Sequence, residues 1–160
     1  LFEKMCLVIF NMLGNNLKWC REKLGMTQAQ LGNILGVSRK TVSGWETAND
    51  PIPLEKLMEF CEKYNYSLDY AVGLSKKNYP SKLQNRISKS AISKNLKKTR
   101  KELGLSQEKF ASSCGLSQTT YSHYETGYNL ISTTNLYCIC KVYNISMDYM
   151  ASRTDIKKFK

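Results

Sequence analysis

The sequence contains one histidine, three prolines and no C-x-x-C doublet among its six cysteines, and each shortage removes a class of protein. Structural zinc needs Cys or His doublets at short fixed separations, so with His123 alone no metal site is expected. Cys6, Cys20, Cys61, Cys114, Cys138 and Cys140 are expected instead as reduced, small core residues, which suits a cytoplasmic, reducing compartment. There is no glycine loop to cradle a phosphate. No cluster of acids or bases accompanies His123 and the Cys138 and Cys140 thiols, so neither an enzyme nor a cofactor is expected. Long hydrophobic runs are also missing. MCLVIFNML, residues 5–13, is broken by Asn11 and is too short to span a bilayer, and no small-residue cleavage site follows it. Residues 1–14 are therefore expected to form an extension, either an extra helix or a self-association patch, and no membrane partner is expected. Finally, no window alternates strictly between apolar and polar residues, which excludes half-buried strands.

Acidic residues are scarce as well. Twenty-four Lys and Arg stand against 13 Asp and Glu, giving a net charge of +11 and a partner expected to be anionic, nucleic acid foremost. The charge is unevenly spread. Residues 15–74 carry seven basic and seven acidic side chains, whereas residues 75–93 carry Lys76, Lys77, Lys82, Arg86 and Lys89 with no acid. Most of the remaining excess lies around Lys94, Lys97, Lys98, Arg100 and Lys101 and at the C-terminal end, a footprint suited to phosphate. Glu55, Glu59 and Glu62 would repel phosphate, so their face is expected to point away from nucleic acid or toward a protein.

What the sequence does contain is a repeat. Shifted by 79 residues it aligns with itself from Asn16 to Gly73 without a gap, with identities that include Arg21/Arg100, Gln28/Gln107, Ser38/Ser117, Thr41/Thr120, Ser43/Ser122, Glu46/Glu125 and Asp69/Asp148. Within each unit the punctuation predicts five helices. In the first, apolar residues at 17, 20 and 24 share a face and Gly25 ends the helix. Thr27 then caps Gln28 to Leu35, and Gly36 turns the chain. Ser38 caps a third helix with Val42 and Trp45 inward; Pro51 and Pro53 close the next loop before Leu54 to Tyr64; Ser67 caps Leu68 to Val72. The expected organisation is an extension at 1–14, a domain at 15–74, a basic linker at 75–92, a second domain at 93–153 and a basic tail at 154–160. Fully extended, the 18 linker residues would reach about 60 Å.

Two helices joined through a glycine turn, the second polar on its outer face, form a helix-turn-helix. Val37, Val42 and Trp45 anchor the first unit's third helix and leave Arg39, Lys40, Ser43 and Gly44 outward at a spacing suited to base edges in a major groove. In the second unit Leu116, Tyr121 and Tyr124 anchor while Gln118, Thr119, Ser122 and His123 face out. Cations at a helix start oppose its dipole, so Arg39 and Lys40 point to a use beyond stability.

LGMTQAQLGNILGVSRKTVSGWETA and LGLSQEKFASSCGLSQTTYSHYETG, each followed by a short fifth helix in SLDYAVG and SMDYMAS, resemble the Cro/phage-repressor (Xre-type) helix-turn-helix family over about 120 residues. The resemblance implies an all-α chain of two tandem lambda-repressor-like five-helix domains that bind double-stranded DNA as a transcriptional regulator, a repressor of phage or mobile-element type. It implies phosphate contacts from Gln28 and Gln107, to which Thr27, Ser38, Thr41, Ser106, Ser117, Lys97 and Lys98 are added here. It also implies internal ion pairs Arg21–Glu46 and Arg100–Glu125. At Gly44 the first unit lacks a side chain where the second has His123, which suggests close backbone approach. Ala48 replaces the glycine that Gly127 supplies, so a different exit from the third helix is expected there. The alternative reading is a protein-interaction or antitoxin-like module, with a homodimer or another protein as partner.

Overall fold

The computed structural model describes residues 16–81 and 87–158, which are helical with no strand. Expectations about residues 1–14, the middle of the expected linker and the last two residues lie outside them. The chain divides into two compact units between Pro80 and Ser81. In unit one, α1 covers residues 16–23 and is followed by α2 (Gln28–Leu35), α3 (Arg39–Glu46), α4 (Leu54–Lys63) and α5 (Leu68–Ala71). In unit two, α6 (Lys89–Glu102), α7 (Gln107–Ser113), α8 (Gln118–Glu125), α9 (Thr133–Tyr143) and α10 (Met147–Met150) repeat the order.

Hydroxyl caps set most of these starts. The side chains of Thr27, Ser38, Ser67, Ser88, Ser106, Ser117, Ser132 and Ser146 each accept a hydrogen bond from a backbone N–H one turn on, satisfying a donor the helix itself leaves open. Thr27 forms a full capping box with Gln30. Among α2 to α10, only α4, which follows Pro53, begins without a side-chain cap. Between α2 and α3 the chain reverses at Gly36, whose φ of 67° is the left-handed conformation that glycine adopts without cost.

The same core frame is filled differently in the two units. In unit one Leu17, Leu31, Leu35, Val42, Leu57, Phe60 and Leu68 are buried, with Trp45 closing one side. In unit two Phe110 and Tyr121 occupy the positions of Leu31 and Val42, their rings 4.8 Å apart, and Tyr143 stacks on Phe110 at 4.5 Å. The extra volume is offset by Cys114 and Tyr124 where unit one has Leu35 and Trp45. Close-packed interiors accept such exchanges when total volume is kept. The five cysteines among the described residues are buried thiols, as their reading as core residues requires.

Two expectations are revised. The helical period predicts Leu24 on the inner face of α1, but it follows the helix end and is 37% exposed, and its counterpart Leu103 is 44% exposed. The chain leaves the helix at this point, in a turn closed by Gly25 N–H to the Glu22 carbonyl (2.9 Å). The start of the expected linker is tied to unit one, and its last third extends into the next helix. Asn78 accepts from Ser67 N–H at 2.8 Å and donates to the Asn65 carbonyl at 2.9 Å, while α6 already begins at Lys89 behind its Ser88 cap. Beyond the repeat, the Lys157 carbonyl accepts from Ser146 N–H at 2.8 Å, so the basic tail begins by folding back on α10.

The second revision concerns the exit from α3. Ala48 takes φ 59° and Gly127 takes φ 74°, so both units leave the helix through the same left-handed turn and unit one does so with a Cβ in place. Ala48→Gly should stabilise unit one by about 0.5–1 kcal/mol, relief of the strained φ outweighing the added freedom of the unfolded chain. Trp19 and Trp45 both lie in unit one, so denaturant unfolding followed by tryptophan fluorescence isolates the effect. A midpoint unchanged or lowered in Ala48→Gly would mean the turn carries no strain.

Candidate nucleic-acid interface

The recognition helix of each unit is held from below by a bidentate ion pair. In unit one Arg21 Nε donates to Glu46 Oε1 at 2.5 Å and Nη2 to Oε2 at 2.9 Å; in unit two Arg100 Nε donates to Glu125 Oε2 at 2.7 Å and Nη2 to Oε1 at 2.7 Å. The third guanidinium nitrogen reaches the turn before the next helix, at the Met26 carbonyl (2.6 Å) and the Leu105 carbonyl (2.8 Å). One arginine therefore ties the first helix, the following turn and the recognition helix together. The carboxylate hydrogen bonds push both guanidinium pKa values up, against a smaller effect of burial. Burial pushes the Glu125 carboxyl up, but hydrogen bonds from Arg100, Tyr121 and Gln107 outweigh it and leave the group below its ordinary value.

Gln28 and Gln107, expected on phosphate, lie first in α2 and α7 but turn their amides inward. Gln28 Nε2 donates to Glu46 Oε2 at 2.9 Å and Gln107 Nε2 to Glu125 Oε1 at 3.3 Å. Each side chain is half-buried, with its carbonyl oxygen and one amide hydrogen still uncommitted by these bonds. Thr27 and Ser106 cap α2 and α7, and Ser38 and Ser117 cap α3 and α8. Thr41 shares a hydrogen bond with the Ser38 hydroxyl at 2.9 Å, and Thr120 with Ser117 at 2.8 Å. The Ser and Thr caps stay on the surface and so leave oxygen lone pairs or hydroxyl protons facing out.

On α3, Val42, Trp45 and Glu46 are buried. At 100° per residue the opposite stripe is Lys40, Ser43, Gly44 and Thr47, with Arg39 at the exposed first turn. On α8 the matching stripe carries Thr119, Ser122 and His123, with Gln118 at the first turn. The structure thus gathers each set of base-reading candidates onto one outward face. His123 packs its ring against that of Tyr128, 5.1 Å away and 73% exposed. Lys97 and Lys98 are exposed on α6, a different helix from α8, and Lys98 lies 4.0 Å from Glu102. Glu55, Glu59 and Glu62 are exposed on α4, Glu59 paired with Lys56 at 3.1 Å.

Three contributors escaped the sequence reading. Asn16 Nδ2 donates to the Tyr70 carbonyl at 3.0 Å, and its repeat partner Asn95 donates to the Tyr149 and Met150 carbonyls at 3.1 Å, joining first and fifth helices; their identity at the 79-residue shift was the available signal. Buried Arg153 pairs with Asp148 at 2.9 Å. Unit one has Asp69 and Leu74 at those places, so the repeat gave no hint of this pair. The third is Asp50. A Cβ built on Gly44 would lie 2.9 Å from Asp50 Oδ2, so the space above that glycine is filled by a carboxylate of the following loop.

Chemistry other than binding finds little here. Cys138 and Cys140 are buried on α9. Burial raises the Cys20 thiol to about 12 and pushes the Cys114 thiol up, which keeps both protonated and poor as nucleophiles. Among the described residues no group of three or more His, Cys, Asp or Glu is placed to hold a metal ion, and no helix is long and apolar enough to cross a membrane.

A capped helix pair, turned through glycine and presenting a polar helix held by a buried ion pair, defines a helix-turn-helix protein. The Helix-turn-helix family model matches residues 17–70 and again 96–150, and the chain belongs to that family, a family of DNA-binding regulators. It is also similar to Antitoxin PezA of Streptococcus pneumoniae serotype 4 (strain ATCC BAA-334 / TIGR4), 40% identical over 65 residues. That match covers 41% of this chain and 41% of the relative, so the chain spans about two fifths of the relative's length. No solved structure matches the chain significantly.

The depressed Glu125 carboxyl makes unit two acid-sensitive in a defined direction. Because its folded pKa lies below the unfolded value of about 4.3, the unfolded chain binds the extra proton between the two, so the contribution is complete above about pH 5 and is lost as pH falls through the folded value. Hydrogen-exchange protection of α8 should fall over that acid range, and Glu125→Gln should be less protected at neutral pH with a flatter acid limb. An equally steep limb in Glu125→Gln would place the titration elsewhere.

Proposed function

We propose that the chain is a sequence-specific double-stranded DNA-binding repressor that occupies an operator, α3 and α8 each entering a major groove. The observation that carries this reading is the pair of outward polar faces, each on a helix fixed to its unit by a bidentate Arg–Glu pair. A reading helix must keep its angle to the groove, and that pair is what holds it. Arg39 suits guanine O6 and N7, Gln118 suits adenine, and Lys97, Lys98 and the capping hydroxyls of Thr27, Ser38, Ser106 and Ser117 suit phosphate. In this reading Thr41 supports the Ser38 cap at the phosphate, and Gln28 and Gln107 serve chiefly to orient Glu46 and Glu125, with their free amide hydrogens left for the backbone. The protein acts in the cytoplasm and needs no cofactor.

Because SRKTVSGWE and SQTTYSHYE differ, one chain reads two dissimilar half-sites. A perfect palindrome recovered by selection from a random duplex library would instead point to a homodimer acting through one unit. A second reading, as the antitoxin-like partner of another protein, is favoured by the likeness to Antitoxin PezA. Stable association with a protein in the absence of any salt-sensitive DNA binding would select it.

DNA affinity should fall steeply between low and moderate salt as counterions return to the phosphates. Arg39→Ala should cost about 1–3 kcal/mol on the selected site and relax preference at one base pair, whereas Lys97→Ala should weaken all duplexes alike. Fluorescence-anisotropy titrations on the selected site and on a scrambled duplex separate the two. Identical behaviour of the variants would overturn the division into reader and clamp.

A further inference from the structure

We infer that Asp50 supplies the base-reading side chain that Gly44 lacks, and that it selects cytosine and disfavours guanine at the base pair beneath the last turn of α3. The inference rests on the DNA-reading function proposed above and adds a determinant that lies outside the recognition helix. Lys40 and Gly44 stand one turn apart on the outermost stripe of α3. At position 44 that stripe has no side chain of its own, and the nearest atoms to a would-be Cβ are Asp50 Oδ2 at 2.9 Å, Cγ at 3.7 Å and Cβ at 3.8 Å. In unit two the same place on α8 is filled by His123, and the residue matching Asp50 is the neutral Asn129.

The loop is built to hold the Asp50 main chain beside that space. Asn49 and Asp50 both donate their backbone N–H to the Gly44 carbonyl, at 3.0 and 3.2 Å, which pins Asp50 over the glycine; unit two keeps one such bond, from Asn129 N–H to the His123 carbonyl at 3.1 Å. The position is a poor one for stability alone. A carboxylate beside the C-terminal turn of a helix opposes the helix dipole, and among the described residues no cation pairs with Asp50, which is exposed. Two features of the sequence that look unrelated, a glycine inside the recognition helix and an aspartate six residues later, are one arrangement: the glycine makes room for the acid.

A carboxylate only accepts hydrogen bonds. Facing a major groove it accepts from the exocyclic N4 amine of cytosine, while the O6 and N7 acceptors of guanine, and any phosphate, meet it as like charge. The selectivity thus comes as much from rejection as from attraction. Unit one then reads with opposite charges at the two ends of one helix, Arg39 toward guanine and Asp50 toward cytosine.

The test is selection from a random duplex library with the full chain, comparing wild type, Asp50→Asn and Gly44→Ala, followed by affinity measurements on the selected duplex and on a scrambled one. Wild type should prefer cytosine at the position under Gly44 by about tenfold or more. Asp50→Asn should lose that preference, keep the guanine assigned to Arg39, bind the scrambled duplex several-fold more tightly, and unfold no more easily than wild type. Gly44→Ala, whose Cβ cannot coexist with the carboxylate where it lies, should disturb the same base position and no other. A wild type that selects no duplex sequence removes the DNA-reading function itself. A wild type that selects a site which Asp50→Asn selects with the same cytosine preference removes only the role of Asp50.

Discussion

Everything outward-facing in this protein depends on an interaction that faces inward, the bidentate bond between the first-helix arginine and the recognition-helix glutamate. Arg21 and Arg100 each tie their own helix to two further segments through three nitrogens, so the angle of α3 or α8 is set by a planar fork rather than by side-chain packing alone. Burying both charges has a desolvation cost that an exposed pair avoids, and an apolar pair of equal volume can be as stable. What the apolar pair lacks is direction: removing one partner would leave a buried charge uncompensated, at about 3–5 kcal/mol, so the helix cannot drift off the pair without a large penalty. Gln28 and Gln107 reinforce the constraint by occupying a second lone pair of each glutamate.

That shared frame frees the rest of each unit to diverge. Phe110 and Tyr121 enlarge one side of the second core where Leu31 and Val42 serve the first, and Cys114 and Tyr124 give volume back. Outside, the divergence is one of charge. Unit one offers Arg39, Lys40 and the Asp50 carboxylate; unit two offers Gln118, Thr119 and His123, with much of the basic charge moved to α6. The two units therefore distribute their charge in different ways. In unit one cations stand on the recognition helix itself, whereas in unit two the recognition helix is nearly neutral and the cations are gathered on α6.

Much of this was legible in the sequence because helix-turn-helix units are written in short-range signals. Ser and Thr before apolar-periodic runs gave α2, α3, α7 and α8 their starts to the residue, the 79-residue shift gave both units, and the family resemblance implied both ion pairs. The misreadings share one cause, that a side chain's partner is set by three-dimensional closure. Leu24 obeyed the helical period until the turn rotated it outward. Gln28 keeps its place at a helix start, and the bond from its amide to a carboxylate 18 residues away in sequence is one that helical periodicity does not show. Arg153 had no counterpart in the first unit to reveal its pairing with Asp148. Ala48 looked like a departure from Gly127, but the backbone imposed the same left-handed turn on both because the loop to the next helix is shared.

Ala48 and Gly44 show how the two exits from the recognition helix were shaped by opposite demands. Glycine is absent from unit one at the turn where conformation favours it, and present inside the helix where it costs about 1 kcal/mol relative to alanine. Neither choice follows from local preference. A Cβ at 44 would collide with the Asp50 carboxylate, whereas at 48 a side chain is accommodated and the strain is borne by φ. Unit two makes the reverse choices, with Gly127 relaxing the turn and an imidazole at 123 that packs against Tyr128. Local rules broken in a pattern that matches the neighbouring loop are better explained by the surface they create than by the stability they forgo.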